Sequence, residues 1–367
     1  MSNCTTANTT GRPRWLLLLS TVLPLAALCQ QASDSSTALH DTSYYHTYEG
    51  MLTGRVYSSN KYLLMDVRPE AKGGSPLAYR PNTPNTFGVG ATYDWFTLNL
   101  AYGFPFLNQY KRDRGNTRYL DLQSHAYGRR ATIDFYGQFY RGFYLKPANG
   151  GPIETLRPDL GMTQLGLQYE YMLNWRRFSM RAGLLQSERQ LKSAGTVLLG
   201  MGMHYNVSRA DSSLTESRTA VPNGPSVRRF RSVEIGPSVG YAYTLVLWQR
   251  FFVTGAGTVS FNVGQVKASS ATQALYHWGL RPDWGFKLAV GFNRPRWTGA
   301  ATWVAQRFNY QSADYDLRFA GGQVRLLLAY RFTPGPRTKK LLRPIDRLNE
   351  QLTAAIRRRM GKRKQAP

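Results

Sequence analysis

FGVGATYDWFTLNLAYGF, residues 87–104, alternates in step along both arms when the chain is turned at Asp94–Trp95. Phe87, Val89, Ala91 and Tyr93 then face Tyr102, Leu100, Leu98 and Phe96, while Gly88, Gly90 and Thr92 face Ala101, Asn99 and Thr97. Successive side chains of a strand point to opposite faces, so this hairpin has one bulky apolar face and one small, polar face. A soluble sandwich shows the same pattern once; a membrane barrel repeats it around its wall.

The pattern does repeat. A turn at Gly128–Arg129 sets Leu122 against Phe135 and Leu120 against Gly137, with Gln123 facing Asp134 and His125 facing Thr132 behind them. Over 165–184, Leu165, Leu167, Tyr169 and Tyr171 are expected to face Leu184, Ala182, Met180 and Phe178, with Gln168, Glu170, Ser179 and Arg181 on the other side. Around Trp248, Val239, Tyr241, Tyr243 and Leu245 are expected opposite Gly257, Gly255, Val253 and Phe251. Further strands are read at 197–203, at Trp284–Phe292 and at Val324–Phe332, and two short ones near the start at 51–57 and 61–67. The expectation is an all-β fold, an antiparallel transmembrane outer-membrane β-barrel of about 12–14 strands. Short turns at 94, 128, 174, 248 and 294 should share one rim. The strand count splits them between two rims, which requires one strand between 185 and 231 to be added or withdrawn.

Composition narrows the class. Arg12 and Arg14 precede an apolar run from Trp15 to Leu28 that is too short to span a membrane as a helix, so residues 1–29 read as a secretory signal peptide. Leu28 stands where a lipoprotein signal has a small residue, which disfavours lipidation of Cys29. Both cysteines, Cys4 and Cys29, lie in this leader, so no disulfide framework is expected in the exported chain. No second run of 18 apolar residues follows, which excludes a helical membrane protein and leaves a barrel, whose strands expose only alternate residues to lipid. Residues 30–50 read as a polar periplasmic lead-in, 51–332 as the barrel, and 333–367 as a basic tail.

The formal charge is +26, and residues 333–367 carry eleven lysines and arginines against Asp346 and Glu350. Export removes nucleic acid as a partner and favours anionic lipid headgroups instead. Lipopolysaccharide phosphates are expected near the arginine-rich loops Arg112–Arg118 and Arg228–Arg231, because guanidinium groups bind phosphate bidentately. In the tail, Leu341, Ile345, Leu348, Leu352 and Ile356 recur at helical spacing, and Pro344 suits a first helical turn. A short C-terminal amphipathic helix is expected there, with Arg357, Arg358, Arg359, Lys362, Arg363 and Lys364 as membrane-surface contacts or as a grip on a periplasmic partner. Gly321–Gly322–Gln323 followed by a strand closing on Tyr330–Arg331–Phe332 resembles the terminal-strand signal of the outer-membrane barrel assembly machinery.

The stretches YRPNTPNTFGVGATY, RYLDLQSHAYGRR and IDFYGQFYRGFYL, at 79–93, 118–130 and 133–145, resemble an uncharacterised barrel family of the Bacteroidota, a domain of unknown function. The resemblance covers about residues 50–332, excludes the basic tail, implies an outer-membrane barrel and carries over no catalytic residue.

Candidate site residues follow from the inward face. Asp121, Gln123, His125 and Asp134 form one polar group; Glu170 and Arg181 form a second, and Lys287 with Asp283 a third. Ser124 and His125 are strand neighbours and point to opposite faces, which argues against a nucleophile–base pair. No cofactor or metal motif is present in the sequence. The expected function is a channel or small-ligand-binding barrel with a polar lumen, not an enzyme. The alternatives are a structural or assembly component and, behind it, a lipid-modifying barrel enzyme.

Overall fold

The computed structural model describes residues 40–48, 50–69, 76–93, 96–104, 111–146, 155–215, 226–311, 315–345 and 347. Its strands are β1 (Tyr45–Thr47), β2 (Leu52–Pro69), β3 (Leu77–Arg80), β4 (Thr86–Tyr93), β5 (Phe96–Gly103), β6 (Arg118–Tyr127), β7 (Ala131–Lys146) and β8 (Thr155–Met172). They continue with β9 (Glu188–Gln190), β10 (Ala194–Arg209), β11 (Arg229–Leu247), β12 (Phe251–Ser269), β13 (Ala274–Asn293), β14 (Trp297–Gln311) and β15 (Tyr315–Phe332). All but β1 and β9 belong to one 13-stranded antiparallel sheet. β15 pairs with β2 along its full length, which closes the sheet into a barrel.

The opening hairpin has the register read from its sequence. Phe87 faces Tyr102, Val89 faces Leu100 and Thr92 faces Thr97, whose hydroxyls lie 2.9 Å apart. The turn residues 94–95 themselves lie outside the described residues. The closed circuit bypasses this hairpin. β3 pairs with the outer part of β2 and then with β7, so ten strands complete the ring. β4 and β5 extend from β2, β6 extends from β7, and among the described residues no ladder joins β5 to β6.

The outward positions are those of a lipid-facing wall. Val89, Met201, Ile235, Tyr241, Trp278, Leu280, Trp284 and Leu326 are all exposed, while the alternate residues turn inward. Exposed apolar residues in this number are stable only against hydrocarbon. The two short strands expected at 51–57 and 61–67 are one strand, β2. Ser58 and Asn60 do not break it, because the β15 ladder runs through both.

The hairpin expected at 165–184 is not formed. β8 pairs directly with β10, Tyr171 facing Leu199 and Leu165 facing Tyr205. Residues 173–193 instead leave the wall and fold into the lumen as a turn, a π-helical turn (Arg181–Leu185) and β9, which pairs with β1. Withdrawing the strand at 178–184 places the connections at 94, 128, 173–193, 248 and 294 on one rim with the chain ends of the barrel. That is the arrangement short periplasmic turns require. Phe178, Met180 and Ala182, the apolar positions of the strand expected there, are buried inside the barrel with Tyr127, Met172 and Trp175, and Ser179 and Gly183 between them are buried too.

The lumen therefore has three layers. The outer end is apolar, built from Leu63, Met65, Tyr79, Leu160, Phe230 and Phe319, and residues 210–215 fold over it with Leu214 fully buried. The Arg157 guanidinium holds that cap, donating to the Ser213 carbonyl at 2.9 Å and to Asp159 at 3.0 Å. The middle is polar. The periplasmic end is filled by residues 173–193 and the N-terminal segment, where the Tyr45 hydroxyl donates to the Trp175 carbonyl at 3.2 Å. Burial raises the Tyr45 phenol well above its ordinary value, so it remains a donor. In the tail, residues 336–345 are helical, as expected, but the helix starts eight residues before Pro344, so that proline sits inside it and not at its first turn.

Candidate functional site

The polar layer is centred on Lys287. Strand alternation turns this residue inward from β13, and its ammonium donates to Asp134 Oδ2 on β7 at 2.6 Å and to Glu170 Oε2 on β8 at 3.1 Å. Glu170 also accepts from Thr258 at 2.8 Å and from Thr132 at 3.3 Å. Asp134 meets His125 Nδ1 at 2.6 Å through its other oxygen. All three charged groups are buried, and each carboxylate is doubly satisfied, the arrangement a low-dielectric interior demands of retained charge.

A second knot lies beside it. Asp121 accepts from Lys61 at 3.1 Å, from Gln138 at 2.9 Å and from the Tyr140 hydroxyl at 2.8 Å. Of the residues expected on the inward face, the structure joins His125, Asp134, Glu170 and Lys287 in one network and places Asp121 in the second knot. Gln123 stands on β6 opposite Tyr136, with its side chain outside the described residues.

Arg181 needs correction. It is not on a strand paired with that of Glu170. It sits on the π-helical turn, donates to the Tyr127 carbonyl at 2.6 Å and pairs with Glu188 at 3.3 Å. The tail candidates Arg357, Arg358, Arg359, Lys362, Arg363 and Lys364 lie outside the described residues.

Asp283, expected beside Lys287, does not pair with it and accepts from Asn262 at 2.7 Å. The structure adds Glu234, which accepts from the Tyr310 hydroxyl at 2.7 Å. His204 meets the Tyr136 hydroxyl at 2.5 Å. Arg331, fully buried at the end of β15, donates to the Arg294 carbonyl at 2.7 Å, to Asn293 Oδ1 at 2.9 Å and to the Gln186 carbonyl. The alternation of β11 was a signal for Glu234, which shares its face with Ser232 and Ser238. Arg331 gave no signal beyond its place in a terminal Tyr-Arg-Phe.

Space in the polar layer is scarce. The cavity bordered by Asp134, Glu170, His204, Asp283 and Lys287 holds about 30 Å³, and one bordered by Thr53, Thr92, Arg129 and Glu188 about 40 Å³. Either has room for a water molecule and not for a solute. On the small face of the opening hairpin the Tyr57 ring occupies the space beside Gly88, where a β-carbon would lie 2.3 Å from it. A concavity of about 1010 Å³ lies beside this hairpin, bordered by outward residues such as Val56, Val89 and Leu326 and by Tyr57, Gly88 and Ala101.

Residues 39–332 match the model of a family described as Domain of unknown function (DUF4421). The chain belongs to that family. None of the curated proteins matches it. Among solved structures, this DUF4421 barrel is similar to the outer membrane protease OmpT of Escherichia coli, at 9% identity, TM-score 0.37, covering 78% of this chain and 98% of that one. It is also similar to the translocator domain of the autotransporter NalP of Neisseria meningitidis, at 8% identity and TM-score 0.33, covering 87% and 97%. A third is the P. putida toluene transporter TodX, at 7% identity and TM-score 0.22, covering 77% and 91%. The DUF4421 model ends at Phe332, the last residue of β15, so the basic tail lies beyond the matched region.

Proposed function

We propose that this DUF4421 protein is exported by its leader, residues 1–29, to the outer membrane and works there as a sealed, non-enzymatic barrel. Its function then resides in its surfaces: outer loops and rim toward lipid and lipopolysaccharide, and the basic tail toward a periplasmic partner. The observation that carries this reading is the double closure of the lumen, by Leu214 and its apolar layer outside and by residues 173–193 inside. Lys287 is paired with Asp134 and Glu170, and Lys61 with Asp121, and these pairs fill and brace the polar layer. Conductance of the purified full chain in planar bilayers is the test, and a sealed membrane is expected. Steady ohmic conductance would overturn the proposal.

A second reading, the channel, is favoured by one feature. Among the described residues, 173–193 form no ladder with a wall strand and are joined to the wall by separate hydrogen bonds, among them Arg181 to Tyr127, Arg331 to Gln186, Asn293 to the Glu188 carbonyl, Arg189 to Gln249 and Val246 to Ser193. A segment held this way is able to withdraw. On this reading Asp134, Glu170 and Lys287 would set selectivity, and replacing residues 178–190 by a short turn should raise conductance from a sealed baseline.

A further inference from the structure

The outer rim carries a row of cations that the lumen does not use. The strand registers align Arg118 on β6 with Arg141 on β7, Arg141 with Gly161 on β8, Gly161 with Arg209 on β10, and Arg209 with Arg229 on β11. Arg231 on β11 is in turn aligned with Lys267 on β12. Each of these six side chains falls on the outward face, in phase with Val207 and Val233 just below. The five arginines are exposed, and among the described residues none of the six has a carboxylate within ion-pair distance. Lys267 lies over the Tyr276 ring at 4.8 Å.

Like charges on directly opposed cross-strand positions repel and destabilise a sheet. Arg118 with Arg141, Arg209 with Arg229, and Arg231 with Lys267 are three such pairs in one belt. An anion between the members of each pair reverses the sign of the interaction, and guanidinium forks match phosphate oxygens bidentately. The belt stands immediately above the apolar wall, at headgroup level, on the rim opposite the chain ends. Adjacent strands are about 4.8 Å apart, so a row from β6 to β12 extends for about 24 Å, wide enough for several phosphates. Gly161 leaves a notch in the row between Arg141 and Arg209, where a β-carbon would have no neighbour nearer than 3.8 Å.

We infer that this belt is a binding site for a multiply phosphorylated glycolipid of the outer leaflet, its phosphates held by Arg118, Arg141, Arg209, Arg229, Arg231 and Lys267 and its acyl chains lying on the wall below. The inference depends on the membrane placement of the barrel and not on whether its lumen conducts.

The test uses the full chain refolded in detergent, with lipopolysaccharide as probe. Retention should fall at least about tenfold when the combined variant Arg209→Gln, Arg229→Gln, Arg231→Gln, Lys267→Gln replaces the wild type. It should fall similarly when dephosphorylated lipopolysaccharide replaces the probe. Arg294→Gln with Arg296→Gln, at the other rim, should leave retention unchanged. Heat-dependent gel mobility checks that each variant is folded; if the combined one is not, Arg209→Gln and Arg141→Gln singly, with a salt titration of the wild type, take its place. Equal binding by the belt variants, or equal binding of the dephosphorylated probe, overturns the site. Equal binding of phosphatidylglycerol vesicles overturns its assignment to the glycolipid.

Discussion

The Lys287 ammonium on β13 meets the Asp134 carboxylate on β7 at 2.6 Å across the lumen, 153 residues away in the chain. Four strands lie between the two in either direction around the ring. The contact is therefore a strut between opposite walls, and Glu170 beside it carries a second carboxylate that depends on the same cation.

Lys287→Met should leave two buried carboxylates without their cation. Breaking a buried ion pair from one side costs about 3–5 kcal/mol, and the urea midpoint of the folded barrel in detergent should drop accordingly. Adding Asp134→Asn and Glu170→Gln should restore most of the loss. An unchanged midpoint for Lys287→Met would show that the strut contributes nothing.

Arg331→Met should loosen the periplasmic segment. It removes the donors to the Gln186 and Arg294 carbonyls, at about 1–3 kcal/mol for buried groups left unpaired. Limited proteolysis should then cut between residues 178 and 190 while the strands stay protected. Cleavage at the wild-type rate would count against the anchoring role.

Gly166 faces Tyr136, and a β-carbon there would lie 2.0 Å from the ring. The ring is held in place by His204, so it has little freedom to retreat. Gly166→Ala should cost about 1–3 kcal/mol as overpacking, and Tyr136→Ala in the same chain should relieve the strain. A Gly166→Ala barrel of wild-type stability would mean that the ring moves freely.

Acid should release the N-terminal segment late. The Ser43 hydroxyl, 2.7 Å from Asp41, holds that carboxyl below its ordinary 3.8. With the folded value depressed, the carboxylate's contribution is complete above 3.8 and is lost as the pH falls through the lower folded value. Tryptophan fluorescence near Trp175 should stay constant down to that range and change below it. Asp41→Asn should abolish the change; persistence of the transition in that variant would assign it elsewhere.

Much of the wall was legible from alternation. The hairpin at 87–104 pairs as read, whereas the β6–β7 and β11–β12 registers differ from the reading by two residues, His125 facing Asp134 and Tyr241 facing Gly257. A slip of two preserves every inward and outward assignment because the strand period is two. Asp121, His125 and Asp134 were therefore placed on the correct face with the wrong partners. Residues 178–184 alternate in sequence, but Ser179 and Gly183 are buried as well as Phe178, Met180 and Ala182, because the stretch runs into a π-helical turn inside the barrel.

Alternation is a property of the backbone and of water or lipid on each side of it, so the sequence by itself determined the barrel wall, its lipid face and its inward charges. Which inward charges meet was decided only by the tertiary structure. Ring closure between β15 and β2 brings β13 opposite β7, and the inward fold of residues 173–193 removes a strand from the count. The opening hairpin shows the division: its small face was legible, and Tyr57, from a strand 27 residues earlier at Ser59 to Thr86, fills the space beside it.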